Sequence, residues 1–274
     1  MKQKLGCSFI TAVLTVMIIG LAAWLLAPFR INLLILGIDR SPEGTDMGRS
    51  DTMILTTAAP FQGKVGMVSI PRDLWVALPG VGENRINAAH FFAEINEPGS
   101  GPRAAADVVE QYFKVNIPYT LRFRFDGFVE IVDAMGGITV DLKEPTAGLE
   151  AGKHTLTGEQ ALAFVRDRKG SDDFNRMAHG QLLLKAALVR LMTPETWLKL
   201  PGVLAAVMRN VDTNLPPWEW PRLGLALLRS GISGIDTMVI NRDMVTPFTT
   251  DGGAMVLLPN WDVILPAVQK VFGE

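Results

Sequence analysis

Three short apolar segments near the start of the chain have the pattern of buried β-strands. They occupy residues 32–38, 52–57 and 64–70 and are bounded by glycine, proline and serine. Such segments, rich in branched aliphatic side chains, are typical of central strands covered on both faces. Charged residues stand at their ends, namely Asp39, Arg49, Asp51, Arg72 and Asp73. Because open α/β sheets bind ligands at strand ends, these residues predict a site at one sheet edge.

Further along the chain, segments with helical spacing of apolar residues alternate with strand-like segments. Helices are predicted over residues 86–95, 102–113 and 126–135, the last with Asp126 as N-cap, and over 173–192; strands are predicted over 119–125, 138–142 and 236–241. Thr157 and Gln160 have the spacing of a capping box, which predicts a helix that begins there and carries Arg166 and Arg168 at its far end. The alternation predicts a layered α/β domain with a mixed sheet.

An uncharged apolar run covers residues 8–27 and follows Lys2 and Lys4. It is long enough, at about 1.5 Å per residue, to cross a hydrocarbon layer of about 30 Å. We therefore expect a cytoplasmic tail (1–7), one transmembrane anchor (8–28) and an extracytoplasmic domain (29–274), in a single-pass protein of the cytoplasmic membrane with its amino terminus inside. A cleaved signal peptide is the alternative.

Composition excludes several classes of protein. The 274 residues are 48% hydrophobic and carry a formal net charge of −2, which argues against nonspecific nucleic-acid binding. Cys7 is the only cysteine, so the expected exported part has no disulfide. The three histidines are far apart in sequence and do not predict a zinc site. Neither a serine-hydrolase elbow nor a Walker-type phosphate loop is present.

The remaining chemistry is that of arginines with aspartates close by in sequence. Arg49, Arg72, Arg166, Arg168 and Arg176 form this set. One guanidinium group can bind two phosphate oxygens at once. Mg²⁺ is typically held by one or two carboxylates together with substrate phosphates. The combination favours a pyrophosphate ligand. The alternative is that these residues are turn residues, surface ion pairs and cations at a helix end.

Together these segments resemble the LytR-CpsA-Psr family. The matching motifs are Gly37-Ile38-Asp39, Arg49-Ser50-Asp51-Thr52, Ser69-Ile70-Pro71-Arg72-Asp73, Arg85-Ile86-Asn87-Ala88-Ala89, Val132-Asp133-Ala134-Met135-Gly136-Gly137 and the run from Gln160 to Arg168. With the helix that follows, the resemblance covers about residues 32–192. One departure stands out, because relatives usually have Arg-Gln-Gln where this chain has His179-Gly180-Gln181.

The resemblance implies a three-layer α/β/α sandwich with a groove for a polyprenyl chain. We expect the groove to be lined by some of seven residues that otherwise form core: Phe91, Phe92, Val108, Val109, Phe113, Phe128 and Val132. The implied activity is a Mg²⁺-dependent phosphotransferase that moves a glycopolymer from a polyprenyl-pyrophosphate carrier to a cell-wall glycan acceptor, with membrane lipid as a further partner and no nucleic acid. A noncatalytic binder or sensor of lipid-linked anionic glycans and a polyprenyl-pyrophosphate hydrolase are the alternatives.

The resemblance also assigns roles to individual residues. The magnesium aspartates of the family fall on Asp39 and Asp51, and its pyrophosphate-binding arginines on Arg49, Arg72, Arg166 and Arg168. We further expect substrate contacts from Asp73, Arg85, Arg176 and Gln181. The base that takes the proton of the acceptor hydroxyl is Asp39, Asp51 or Asp73.

Overall fold

The structure is a computed structural model that describes residues 2–38, 45–167 and 173–273. Its strands are β1 (Ile31–Ile38), β2 (Ser50–Ala59), β3 (Lys64–Ser69), β4 (Trp75–Leu78), β5 (Gly82–Arg85), β6 (Tyr119–Arg124), β7 (Ile138–Leu142), β8 (Gly152–Leu156), β9 (Val211–Thr213), β10 (Ile235–Val239), β11 (Val245–Thr249) and β12 (Met255–Pro259). The predicted strands near the start of the chain are confirmed as β1, β2 and β3.

Helices occupy most of the chain between these strands. They are α1 (Lys2–Leu25), α2 (Ala88–Asn96), α3 (Gly101–Phe113), α4 (Phe125–Ala134), α5 (Gly158–Arg166), α6 (Asp173–Leu191), α7 (Pro194–Trp197), α8 (Leu200–Asn210), α9 (Trp220–Ser230) and α10 (Trp261–Phe272). The capping box of α5 is present, since the Thr157 hydroxyl accepts from the Gln160 amide and the Gln160 side chain accepts from the Thr157 amide.

The centre of the fold is a six-stranded mixed sheet with the order β10-β3-β2-β1-β6-β9. The β1/β6 and β10/β3 pairs are parallel, and the other pairs are antiparallel. Side chains alternate between its two faces along β1: Leu34 and Leu36 pack towards α2, α3 and α10, whereas Leu33 and Ile35 pack towards α6 and α9. The sheet thus has helices on both faces, as the predicted sandwich requires.

Within the described residues, three two-stranded sheets lie outside the central one, in the pairs β4–β5, β7–β8 and β11–β12. The strand predicted over 138–142 is confirmed as β7, but it pairs with β8 rather than joining the central sheet. The β4–β5 and β11–β12 hairpins were not predicted. Strands β5 and β11 lack the continuous apolar pattern of a buried strand. Strands β4 and β12 are apolar but only four and five residues long, and runs this short do not distinguish a strand from other structure.

One further prediction needs correction, and another is only partly addressed by the structure. Helix α4 begins at Phe125 with Arg124 as N-cap, so Asp126 lies in the first turn, where a carboxylate is stabilised by the helix dipole. The residues expected to line a groove are divided between two clusters: Val108, Val109 and Phe113 pack against the sheet, and Val132 packs beside β7 and β8. These four residues are thus core residues in two clusters, and the groove for a polyprenyl chain stays a prediction.

Helix α1 coincides with the predicted anchor and begins earlier, at Lys2. No helix in the described part of the chain is both long and apolar enough to cross a membrane. The structure therefore confirms the helix but does not support the predicted span. The division of the chain into tail, anchor and exported domain stays a prediction.

Candidate active site

The ends of three central strands meet at one edge of the sheet. β1 ends opposite the beginning of β2, with Ile38 paired to Ser50, and β3 ends opposite Ile54 of β2. This geometry brings Asp51 to the same edge as the turn after β3, which carries Arg72 and Asp73. The predicted convergence of these three residues is confirmed.

Asp51 has a special position in β2. Gly37 pairs with Thr52 and the next residue, Ile38, pairs with Ser50, so Asp51 is the extra residue of a β-bulge. A bulge bends the strand and re-aims the side chain of the unpaired residue. Gly37 also allows a close approach, because a Cβ atom there would lie 3.0 Å from the Thr52 Cβ.

Ion pairs connect the charged residues of this edge. The Arg72 guanidinium donates to an Asp51 carboxylate oxygen over 2.6 Å, and both side chains are 28% exposed. Arg72 Nε also lies 3.6 Å from Asp73, whose other oxygen is 3.0 Å from Arg85 Nε. Arg85 is held a second time, by donating to the Met255 carbonyl oxygen of β12. The carboxylates thus orient arginines that remain accessible to a ligand.

A cavity of about 460 Å³ opens beside these ion pairs. Five of the predicted site residues line it: Asp51, Arg72, Asp73, Arg166 and Arg176. Apolar side chains form much of the remaining wall, among them Met53, Ile54, Phe125, Val165, Phe174, Met177 and Leu257. One cavity therefore offers guanidinium groups, carboxylates and an apolar surface.

The capped helix α5 places Arg166 at this cavity. The capping box fixes the beginning of α5, and Arg166 is its last residue. The Arg166 guanidinium carbon lies 5.8 Å from the centre of the Phe125 ring, a distance at which the cation is attracted to the ring face. A helix predicted from its cap thus delivers the expected arginine to the site.

Other predicted residues lie elsewhere. Arg49 is exposed and does not line the cavity; its guanidinium carbon lies 6.0 Å from the Phe91 ring centre. Arg85 contacts Asp73 but is outside the cavity lining. Asp39 and Arg168 lie outside the described residues.

Gln181 needs a correction. It is only 5% exposed, and its side-chain amide donates to the backbone carbonyls of Met67 in β3 and Met238 in β10. The rotation of α6 turns this side chain into the sheet, so Gln181 attaches a helix to two strands instead of reaching the cavity.

The donor chemistry of the site fits Mg²⁺ in part. Asp51 and Asp73 present carboxylate oxygens at the cavity, and Mg²⁺ needs only one or two carboxylates when substrate phosphates complete its shell. In the described ranges 2–38, 45–167 and 173–273, no group of three or more acidic, histidine or cysteine side chains could hold a metal ion. The residues present therefore fit a cation that is shared with a phosphate ligand.

Several lining residues were missed by the sequence analysis. Phe174 and Met177 flank Arg176 on α6, and their helical spacing was a usable signal. Leu257 comes from the unpredicted hairpin β11–β12, where its backbone amide donates to the Asp73 carbonyl oxygen. Nothing in the sequence around Leu257 indicates this contact, because it depends on the docking of a distant segment.

An ion network around the buried Arg122 supports the segment that precedes Asp51. Arg122 of β6 lies 3.1 Å from Glu94, 3.1 Å from Asp46 and 2.8 Å from Asp212. Its guanidinium also donates to His90 Nε2 over 3.3 Å. A guanidinium has no acceptor atom, so His90 carries its proton on Nδ1, which donates to the Gly48 carbonyl oxygen at 2.9 Å.

This network shifts two pKa values. Burial, reinforced by the neighbouring Arg122 charge, lowers the pKa of His90 below its usual value. Burial alone would raise the pKa of Glu94, but hydrogen bonds from the Gly99 and Gly101 amides and the Arg122 guanidinium lower it overall. His90 is thus held neutral and Glu94 charged.

Comparison with known proteins agrees with this geometry. The sequence matches the model of the LytR_cpsA_psr family over residues 28–258. The polyisoprenyl-teichoic acid–peptidoglycan teichoic acid transferase TagU of Oceanobacillus iheyensis is 36% identical over 191 residues, which are 68% of this chain and 59% of that relative. The match thus spans less than two thirds of the relative's length.

Solved structures show the same fold. The crystal structure of B. subtilis TagV is 26% identical, superimposes with a TM-score of 0.73, and is matched over 90% of this chain and 98% of TagV. A structure of TagT bound to LI-WTA, 23% identical, shares the fold with a TM-score of 0.69 over 89% of this chain and 91% of its own. Since the family match covers more than half of the sequence, the chain belongs to the LytR-CpsA-Psr family.

Proposed function

We propose that this protein transfers a glycopolymer from a polyprenyl-pyrophosphate carrier to a cell-wall glycan acceptor such as peptidoglycan. The observation that carries this proposal is the cavity in which Arg72, Arg166 and Arg176 face an apolar wall. A lipid-linked pyrophosphate has both chemistries in one molecule. The relative TagU, named as a transferase of teichoic acid to peptidoglycan, supports the same reaction class.

The reaction needs no covalent enzyme intermediate. The acceptor sugar hydroxyl attacks the phosphorus that carries the glycopolymer, and a new P–O bond forms. The bond from that phosphorus to the bridging oxygen breaks, so polyprenyl phosphate leaves with the electron pair. The arginines of the cavity stabilise the charge that develops on the phosphate oxygens. Asp51 or Asp73 takes the hydroxyl proton; Asp39 is a third candidate, outside the described residues.

Magnesium is part of the proposal as a cofactor held by Asp51, with Asp73 or with Asp39. When bound, Mg²⁺ would neutralise phosphate charge and orient the pyrophosphate. The Asp51–Arg72 ion pair holds the Asp51 side chain at the cavity edge before any ligand arrives.

The decisive experiment incubates the purified protein with a polyprenyl-pyrophosphate saccharide, Mg²⁺ and a glycan acceptor, and detects polyprenyl phosphate by mass spectrometry. We expect Arg166→Met to lower product formation on the order of 10²-fold, as for loss of other charge-stabilising groups. Arg103→Met is the matched control, because Arg103 pairs with Asp107 and Glu110 on α3 away from the cavity. Release without acceptor would instead indicate a hydrolase, and binding without release a noncatalytic binder or sensor.

We also propose that the protein works in the cell envelope, with α1 in the cytoplasmic membrane and the domain outside. Helix α1 exposes large apolar side chains from Ile10 to Leu21, which supports contact with lipid. Protease added to intact cells stripped of outer layers should digest the domain. Protection until the membrane is broken would contradict this orientation.

A further inference from the structure

A glycine occupies the interior of α6. Gly180 lies well inside the helix, whose bounds are Asp173–Leu191. Glycine at such a position destabilises a helix relative to alanine, because its backbone loses more conformational freedom on folding. We therefore ask whether the neighbouring atoms, or a ligand, require that no side chain be present at this position.

The fold itself does not require a glycine here. The backbone of Gly180 is helical, and a Cβ atom would meet only Val165 Cγ2, at an ordinary 3.8 Å. Gly158 shows the opposite case, since a Cβ there would lie 2.3 Å from the Val129 carbonyl oxygen. The neighbours of Gly180 thus leave room for a Cβ atom.

Gly180 does line the cavity. The residues on either side point elsewhere: Gln181 donates to the central sheet, and the ring centre of His179 lies 4.8 Å from that of Phe164. Gly180 therefore presents bare backbone to the cavity between two side chains that are already engaged.

The polarity of the side chains around Gly180 indicates the kind of ligand group that would occupy the space beside it. Val165 of α5 provides the atom nearest to a Cβ built at position 180, and Met177, three residues earlier on α6, lines the same cavity, so two apolar side chains belong to this part of the wall. Each of them adjoins an arginine in sequence, Arg166 and Arg176, and both arginines line the same cavity. At this place the wall changes from charged to apolar.

We infer that Gly180 is a specificity-determining residue that leaves room for the hydrocarbon directly attached to the phosphates of the ligand. The inference rests on the proposed function and goes beyond it, since it assigns the junction between pyrophosphate and prenyl chain to the gap between α5 and α6. A side chain at position 180 would occupy the space of the first prenyl units and leave the arginines in place.

The test compares Gly180→Leu and Gly180→Ala with Gly224→Leu and Gly224→Ala. Gly224 is the matched control, because it is also inside a helix, α9, and a Cβ there would meet nothing within 4 Å. Binding of farnesyl pyrophosphate and of inorganic pyrophosphate is measured by calorimetry in the presence of Mg²⁺, and thermal unfolding is followed by circular dichroism.

We expect Gly180→Leu to weaken farnesyl pyrophosphate binding by about tenfold or more, because the leucine side chain and the first prenyl units would need the same space. Inorganic pyrophosphate should bind within about twofold of the unchanged protein, and both Gly224 variants should bind both probes normally. Both alanine variants should raise Tm, which separates the ligand effect from the helix effect.

Unchanged farnesyl pyrophosphate binding by Gly180→Leu would overturn the inference and leave the proposed function standing. Equal weakening for both probes would also overturn it, because the added side chain would then block the phosphate site. If the unchanged protein bound neither probe, the proposed function would itself fail.

Discussion

Replacing Arg122 by methionine tests the ion network around this buried side chain. The change keeps an unbranched apolar stem and removes the charge that pairs with Glu94, which is only 3% exposed. Breaking a buried pair by removing one partner costs about 3–5 kcal/mol, since the other charge stays buried without its ionic partner. At about 2–4 °C per kcal/mol for a domain of this size, Tm should fall by roughly 6–20 °C.

A surface pair provides the control. Arg209 and Glu130 form an ion pair in which both side chains are exposed, so Arg209→Met should change Tm little. Thermal unfolding of both variants is followed by circular dichroism at pH 7. A fall of similar size in the two variants would refute the claim that burial makes the Arg122–Glu94 pair important.

A second substitution identifies the cause of the loss. If the destabilisation comes from the uncompensated Glu94 charge, adding Glu94→Gln to Arg122→Met should recover part of it. Recovery should be incomplete, because Glu94 also accepts from the Gly99 and Gly101 amides with its two oxygens, and glutamine has only one. Additive losses in the double variant would show that Arg122 acts through packing and not through its charge.

Three further predictions concern pH, the site and a helix cap. Folding stability should fall as pH drops below 6.5, because His90 has a lowered pKa in the folded protein and binds a proton less readily there than in the unfolded chain. In denaturant titrations, His90→Asn should reduce this loss of stability with pH, and half-buried His179, whose pKa is also lowered, should account for the remaining loss. An unchanged dependence of stability on pH in His90→Asn would contradict the prediction. Asp51→Asn should lower transfer on the order of 10²-fold at nearly constant Tm, and full Mg²⁺-dependent activity would exclude the site assignment. Thr157→Ala should cost about 1 kcal/mol by removing the cap of α5, measurable in urea unfolding; no loss would mean that the cap bonds are replaced by water.

Local signals account for the part of the fold that was predicted correctly. The apolar runs of β1, β2 and β3 reveal buried strands because both faces of the sheet are covered. The capping box of α5 is a contact between residues three apart, so its sequence spacing suffices. In antiparallel neighbours, the beginning of one strand lies beside the end of the next. Asp51 at the beginning of β2 and Arg72 after the end of β3 therefore reach the same edge, where their side chains are 2.6 Å apart.

Contacts between distant segments account for the errors. Gln181 and Gly180 are neighbours in sequence, yet one enters the sheet and the other faces the cavity. The difference depends on how α6 is rotated about its axis, which tertiary packing decides. Leu257 reaches the site through a hairpin whose docking on Asp73 uses a backbone hydrogen bond that is independent of side-chain type.

The charge of the described cavity wall bears on the proposed cofactor. Three arginines and two carboxylates line it, which leaves a net of one positive charge. A pyrophosphate diester carries two negative charges near neutral pH, so these side chains alone leave one charge without compensation. Arg72 is also already paired with Asp51, and that carboxylate would repel an incoming phosphate. A divalent cation held by Asp51 would compensate this repulsion by supplying positive charge, which is the physical reason for proposing Mg²⁺ at this position.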